Sequence, residues 1–182
     1  MRTDTASATV LCETASCEAL KPAIYPQNTS LTASLQASTQ VKFITNLGTM
    51  ACSGSAIAGK TTAEKGEPLP IEVSELSFSS CAFGKTACTG TTTALPTSPS
   101  LKATGEGGGT LSLKGAEVKL TCGALINCTF EIPDLQLKGG SPASLSATEA
   151  TVLHKGTFCP ETSKLSVTYT LSKPTPAYLV EG

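Results

Sequence analysis

Val41-Lys42-Phe43, Cys52, Gly66-Glu67-Pro68, Ile71-Glu72-Val73, Glu75, Phe78 and Cys81 form a pattern that returns later in the chain. It recurs as Val118-Lys119-Leu120, Cys128, Gly140-Ser141-Pro142, Leu145-Ser146-Ala147, Glu149, Val152 and Cys159. Residues 41–81 and 118–159 thus read as two copies of one unit, each with a leading and a closing cysteine. Equivalent positions in a duplicated unit carry equivalent structural duties, so the match bears on strand order and on disulfide pairing. Each copy reads as three strands: one at its start, one through the leading cysteine and one after the Gly-x-Pro turn.

Outside the copies the same period-two pattern persists. Leu165-Ser166-Val167-Thr168-Tyr169-Thr170-Leu171 alternates apolar with hydroxyl residues, which on a strand puts one set inside and the other in water. Leu31-Thr32-Ala33-Ser34-Leu35 and Leu135-Gln136-Leu137-Lys138 do the same, and no segment keeps a helical period over three turns. The apolar positions are odd-numbered at Leu111 and Leu113 but even-numbered at Val118, Leu120 and Cys122, so a turn or bulge is expected at Gly115. Without crossover helices a parallel α/β fold is excluded. The expectation is a single all-β domain, an antiparallel sandwich or closed barrel of about nine or ten strands. Its parts are 1–38 (N-terminal strands), 41–81 (repeat one), 82–117 (a central hairpin tipped by Gly105-Glu106-Gly107-Gly108-Gly109), 118–159 (repeat two) and 160–182 (C-terminal strand and tail).

Threonine (28) and serine (20) dominate the 182 residues, charged residues are 15%, and there is no Trp, so the interior must be built from aliphatic side chains. A net charge of −1 with a single arginine, Arg2, supplies no basic field for a phosphate backbone, which argues against nucleic acid as a partner. No run approaches the roughly 18 apolar residues of a transmembrane helix. No apolar segment follows Met1-Arg2-Thr3-Asp4, so any secretory signal is expected to have been removed.

Eight cysteines, Cys12, Cys17, Cys52, Cys81, Cys88, Cys122, Cys128 and Cys159, accompany one histidine and no C-x-x-C pair, which favours disulfides over a metal site. Disulfides in turn point to an oxidising compartment. The repeat makes Cys52 with Cys81 and Cys128 with Cys159 one bond formed twice. Cys12 with Cys17, and Cys88 with Cys122, then complete the favoured set; the rival joins Cys122 to Cys128 and Cys88 to Cys159.

Several motifs mimic chemistry. Residues 54–61, GSAIAGKT, satisfy G-x-x-x-x-G-K-[ST], but a phosphate loop needs a following helix, and Thr62-Ala63-Glu64-Lys65-Gly66-Glu67-Pro68 is too broken to form one. Asp4 and Asp134 are the only aspartates and neither ends an apolar strand, so the segment is read as a polar loop and no cofactor is expected. His154 is the one candidate general base; no G-x-S-x-G elbow supplies a nucleophile for it. The pairs Glu72 with Glu75 and Glu131 with Asp134 read as solvated faces rather than a glycosidase dyad. Asn28-Thr29-Ser30 and Asn127-Cys128-Thr129 match the glycosylation sequon, and segment 86–104 has too few apolar residues to face lipid as a membrane barrel does.

Gly156-Thr157-Phe158-Cys159-Pro160-Glu161-Thr162-Ser163-Lys164, Tyr169-Thr170 and Pro174-Thr175-Pro176, with Asn46-Leu47-Gly48-Thr49 and Leu125-Ile126-Asn127-Cys128-Thr129-Phe130, resemble a family of uncharacterised secreted actinobacterial β-proteins of unknown function. The resemblance spans nearly the whole chain, is strongest at Cys52, Cys81, Cys128 and Cys159, and implies export and a disulfide-bonded β fold without any activity. The leading expectation is therefore an exported, non-enzymatic structural or binding module with a surface or extracellular ligand. A binding face would sit on the loops at 59–70 and 96–110. The alternatives are self-association into a ring, pore or filament through edge strands and segment 86–110, and a secreted hydrolase that uses His154.

Overall fold

The computed structural model describes residues 8–17, 23–124, 126–156, 159–160 and 163–181. Arg2, Asp4, Leu125, Thr157, Phe158, Glu161 and Thr162, all used in the sequence reading, lie outside the described residues. Strand is the dominant secondary structure, in two antiparallel sheets, and of the two expected architectures the chain adopts the closed barrel.

Eight staves form the barrel, and several are made of two strand segments laid end to end. Stave one is β2 (Ser30–Leu35) followed by β3 (Val41–Thr45). Both pair antiparallel with stave two, β4 (Gly48–Thr61), Ser34 lying opposite Ala56 and Val41 opposite Cys52. A short β5 (Lys65–Gly66) leads to stave three, β6 (Leu69–Phe83). Stave four is β7 (Thr86–Ala94) plus β8 (Ser100–Gly105), and both segments pair with β6. Stave five is β9 (Gly108–Ser112) plus β10 (Glu117–Cys122). Stave six is β11 (Ile126–Glu131) plus β12 (Leu135–Lys138), and stave seven is β13 (Ala143–Thr151) plus β14 (His154–Lys155). Stave eight, β15 (Ser163–Lys173), pairs with β13 on one side and with both β2 and β3 on the other, which closes the ring.

Each stave is thus bonded to its predecessor in the chain, an up-and-down meander in which local pairings suffice to build the barrel. Closure leaves the ring of staves itself without a free sheet edge. The breaks within staves fall where the sequence changes register. At the expected position near Gly115, β9 and β10 are separated by a turn in which Ala116 N donates to Leu113 O at 3.0 Å and Gly115 takes φ of 93°. Leu111 and Leu113 before it and Val118 and Leu120 after it all face the core.

The expected central hairpin at 82–117 is corrected. The hairpin is β8–β9 alone, turning at Glu106-Gly107, whereas β7 pairs with β6 and β10 in the barrel wall. Thr86–Ala94 consists of threonine, alanine, glycine and one cysteine, with no large apolar side chain to reveal a stave. The GSAIAGKT segment is also not a loop. It lies inside β4, where Gly59 passes so close to β6 that a Cβ there would sit 2.0 Å from Glu72 O. The two glycines of that motif serve close strand packing rather than phosphate binding. The supposed long loops at 59–70 and 96–110 are largely strand.

One end of the barrel is covered by a small second sheet of β16 (Tyr178–Glu181), β1 (Thr9–Cys12) and β5. Every residue of β1 is buried. Leu11 and Leu179 enter the barrel core, whereas Val10, Cys12 and Cys17 form a small separate core with Ala23, Ile24 and Val180. The opposite end is packed with aromatic rings: Phe43 lies 4.9 Å from Phe130 and 6.2 Å from Phe78, centroid to centroid.

Midway between the ends lies a buried polar chain. Tyr169, 2% exposed, has its hydroxyl 2.7 Å from Ser55 Oγ, which reaches Ser77 O at 2.7 Å. Burial pushes the Tyr169 phenol up to about 12, with the Ser55 hydrogen bond opposing. The unfolded phenol ionises near 10, so from there upward the unfolded state holds fewer protons and is favoured. The stabilisation is complete below pH 10 and is lost as pH rises towards 12, a fall of about 3 kcal/mol at roughly 1.4 kcal/mol per pH unit. Urea unfolding at pH 9 and pH 11.5 reads it. Tyr169→Phe is expected to remove most of the dependence, and an unchanged slope in that variant would assign it elsewhere.

Candidate functional site

The cysteines form the clearest constellation. Cys52 bonds Cys81, Cys88 bonds Cys122 and Cys128 bonds Cys159, while Cys12 bonds Cys17. The first three form a belt near the aromatic end, joining stave two to three, four to five, and six to the end of seven. The rival set fails because it would join Cys88 on stave four to Cys159 beyond stave seven, while Cys88 lies next to stave five, where Thr89 faces Thr121. All eight cysteines are bonded, so they supply neither a nucleophile nor a metal ligand.

His154 sits on β14 opposite Phe130, and its ring lies 6.4 Å from that phenyl on the inner face of the wall. Its Nδ1 is buried without a hydrogen-bond partner among the described residues, as is Ser163 Oγ. Neither atom is within hydrogen-bonding reach of the other. Glu72, Glu75, Glu131 and Asp134 are all exposed on the outside. Lys60 of the phosphate-loop pattern is 3.9 Å from Glu72 across the β4–β6 ladder. Among the described residues no cluster of three potential ligands could hold a metal ion. Asn28 has φ of 70° in the turn before β2, and Asn127 lies in β11 beside the bonded Cys128.

The outer wall carries a feature that the sequence did not reveal. Between β2 and β3, residues 36–40 fold into a turn in which Thr39 N and Oγ1 both donate to Gln36 O and Ser38 takes φ of 63°. This break creases the barrel surface. On one side of the crease a groove of about 540 Å³ is floored by Gln40, Lys42, Ile44, Thr49, Ser53 and Ser80. On the other a groove of about 360 Å³ runs over Thr39, Thr148, Ser166 and Thr168. Gln40 and Lys42 belong to both, so the two form one trench across five staves, and Gln40 Nε2 donates to Ser53 Oγ at 3.1 Å on its floor.

Hydroxyls, the Gln40 amide and apolar side chains such as Ile44, Ala51 and Val167 line the trench. Lys42 lies directly opposite Ser166, and Lys164 sits two positions along on the same face opposite Ile44, within about 7–8 Å of Lys42 for diagonal strand neighbours. Both are exposed, as is Lys85 beyond Gly84 at one end. The exposed Glu149 lies beside this crease, its backbone N donating to Ser166 Oγ at 2.9 Å. The spacing Lys42-x-Ile44 and Ser166-x-Thr168 marks the outward faces of two strands, but only the break at 36–40 brings them to one crease. No protein-family model matches this chain, and comparison with curated proteins and with solved structures finds no match.

Proposed function

We propose that this is an exported binding module that holds an extended acidic polysaccharide in the trench across its outer wall, on a barrel stiffened for life in an oxidising compartment. The observation that carries the reading is the trench itself: two adjoining grooves that share Gln40 and Lys42, lined by hydroxyls and small apolar side chains of five staves and the 38–40 turn, with the exposed Lys164 beside Lys42 on the outer face. Strand positions fix ligand-binding groups with little entropy to lose, and the Cys52–Cys81 disulfide lies behind the trench wall, on the inner face of β4 and β6. The same succession of staves in residues 30–105 and 108–173, with a cysteine bond in the same place in each, supports an origin by duplication.

Retention on immobilised polygalacturonate and hyaluronate, each with a neutral dextran control, tests the reading. Replacing Lys42 and Lys164 together by serine is expected to weaken retention roughly tenfold at low ionic strength, with the difference shrinking as salt rises. Lys119→Ser, on β10 across the barrel from β3, is expected to change nothing. Equal retention of the double variant and the parent would move the binding face elsewhere.

Self-association has support from one observation. Leu47, Leu95 and Leu153 are exposed, Leu153 at 67%. Scattered single leucines are common on monomers, which places this reading second. A particle larger than one chain by light scattering, returned to monomer by Leu153→Ser, would favour it.

A further inference from the structure

We infer a second, independent site: the covered half of the barrel interior is a chamber for a single alkyl chain, and Leu11 of β1 is a tethered plug that occupies it when the chain is absent. The two halves of the barrel are built differently. The half holding Phe43, Phe78 and Phe130 is filled by rings and tied by three disulfides. The other half is lined by branched aliphatic side chains from every side, among them Leu31, Ile57, Val73, Leu101 and Leu171, and no polar side-chain atom is exposed into it. A void of about 30 Å³ remains at its centre, apolar throughout and roughly the size of one water molecule, which such a site does not retain. Eight staves make an interior that side chains can just fill or that can admit one slender ligand.

What fills the remainder of this chamber comes from the cap. Leu11 reaches in from β1, a strand that belongs to a different sheet and whose neighbours Val10 and Cys12 pack into the cap's own small core with Cys17. The cap is tied to the barrel by Ala103 N donating to Thr9 Oγ1, Leu179 N to Gly107 O, a pair exchanged by Gly140 and Ala177, and the short β1–β5 ladder in which Thr9 lies opposite Gly66 and Val10 opposite Lys65. Withdrawing Leu11 with its strand would add the volume of its side chain to the void and open a slot walled by aliphatic side chains, while the disulfide belt holds the far half unchanged. The ligand class follows from the lining: an unbranched alkyl chain, with its head group at the cap.

Methyl-labelled leucine spectra of the intact protein titrated with decan-1-ol test this. The expected result is saturable shifts of the Leu11, Leu101 and Leu171 methyls, with Leu120 and Leu165 near the aromatic end unmoved. Leu11→Ala removes the competing plug and is expected to tighten binding about tenfold. Ala33→Leu, whose added carbons would enter the void, is expected to abolish it. No saturable shift in the parent protein overturns the inference, even if Leu11→Ala binds, because truncation alone can create a ligand-sized hole. Binding that survives Ala33→Leu unchanged also overturns it by placing the alcohol elsewhere.

Discussion

Removing the Cys52–Cys81 bond by the double change Cys52→Ala and Cys81→Ala is expected to lower the unfolding free energy by about 3–4 kcal/mol. That figure is the loop-closure entropy of a crosslink between residues 29 apart in sequence. The other two bonds of the belt close separations of 34 and 31, and the same relation gives them nearly equal weight. Cys12–Cys17 closes a separation of only 5, worth about 2 kcal/mol, so it is expected to be the least costly of the four to remove. Paired changes are needed because a single replacement leaves a free thiol to exchange with its neighbours. Urea unfolding without reductant ranks the four. If the Cys12/Cys17 variant proves the most damaged, the cap and not the belt holds the fold, and the plug would no longer be separable from the barrel. Losing two bonds of the belt would remove about 7 kcal/mol, comparable with the whole net stability of an ordinary domain of about 5–15 kcal/mol.

Strand content and cysteine use were legible in the sequence because both rest on local signals. The alternation in Leu165–Leu171 and the turn at Gly115 register the side of the wall each residue faces, and a change of parity marks a break wherever the wall is. The recurrence of Val41-Lys42-Phe43 as Val118-Lys119-Leu120 located β3 and β10, and with them the cysteine pairs. The wall itself was harder to read. Thr86–Ala94 has no large apolar residue to announce a stave, and the two-segment staves look like separate strands until their partners are known. The glycines of GSAIAGKT mimic a phosphate loop because both situations need a backbone without a Cβ, one for an anion and the other for a neighbouring strand. The trench and the chamber were invisible for one reason: each depends on residues distant in the chain, Lys42 with Ser166 outside and Leu11 with Leu171 inside.

Inside and outside are coupled through alternate residues of the same strands. On β3, Val41 and Phe43 are fully buried while Lys42 between them is exposed, and on β15 Leu165 faces in while Lys164 and Ser166 line the outer crease. A rigid interior therefore fixes the spacing of the polar groups outside. Where the interior is aromatic and crosslinked the trench has a firm floor, and where it is aliphatic and capped the barrel keeps a part that can rearrange. The two proposed sites use these two kinds of interior, and each can fail without the other.

Phe43→Ala is expected to cost about 3–5 kcal/mol, the range for truncating a fully buried phenylalanine. The ring is 0% exposed and contacts Phe130 and Phe78, and each such aromatic pair adds about 0.5–1.5 kcal/mol beyond simple burial, which places the expectation in the upper part of the range. Relaxation into the cavity is limited because the surrounding wall is held by Cys52–Cys81 and Cys88–Cys122, and a hole that cannot collapse costs more than one that can. Phe43→Leu, which refills most of the volume, is expected to recover more than half the loss. Combining Phe43→Ala with removal of the Cys52–Cys81 bond should then cost less than the sum of the separate changes, since the freed wall can close on the cavity. Urea midpoints of the four proteins in this cycle decide it. A Phe43→Ala loss under about 1 kcal/mol, or strict additivity with the disulfide change, would mean that the aromatic end is not the rigid floor on which the trench depends.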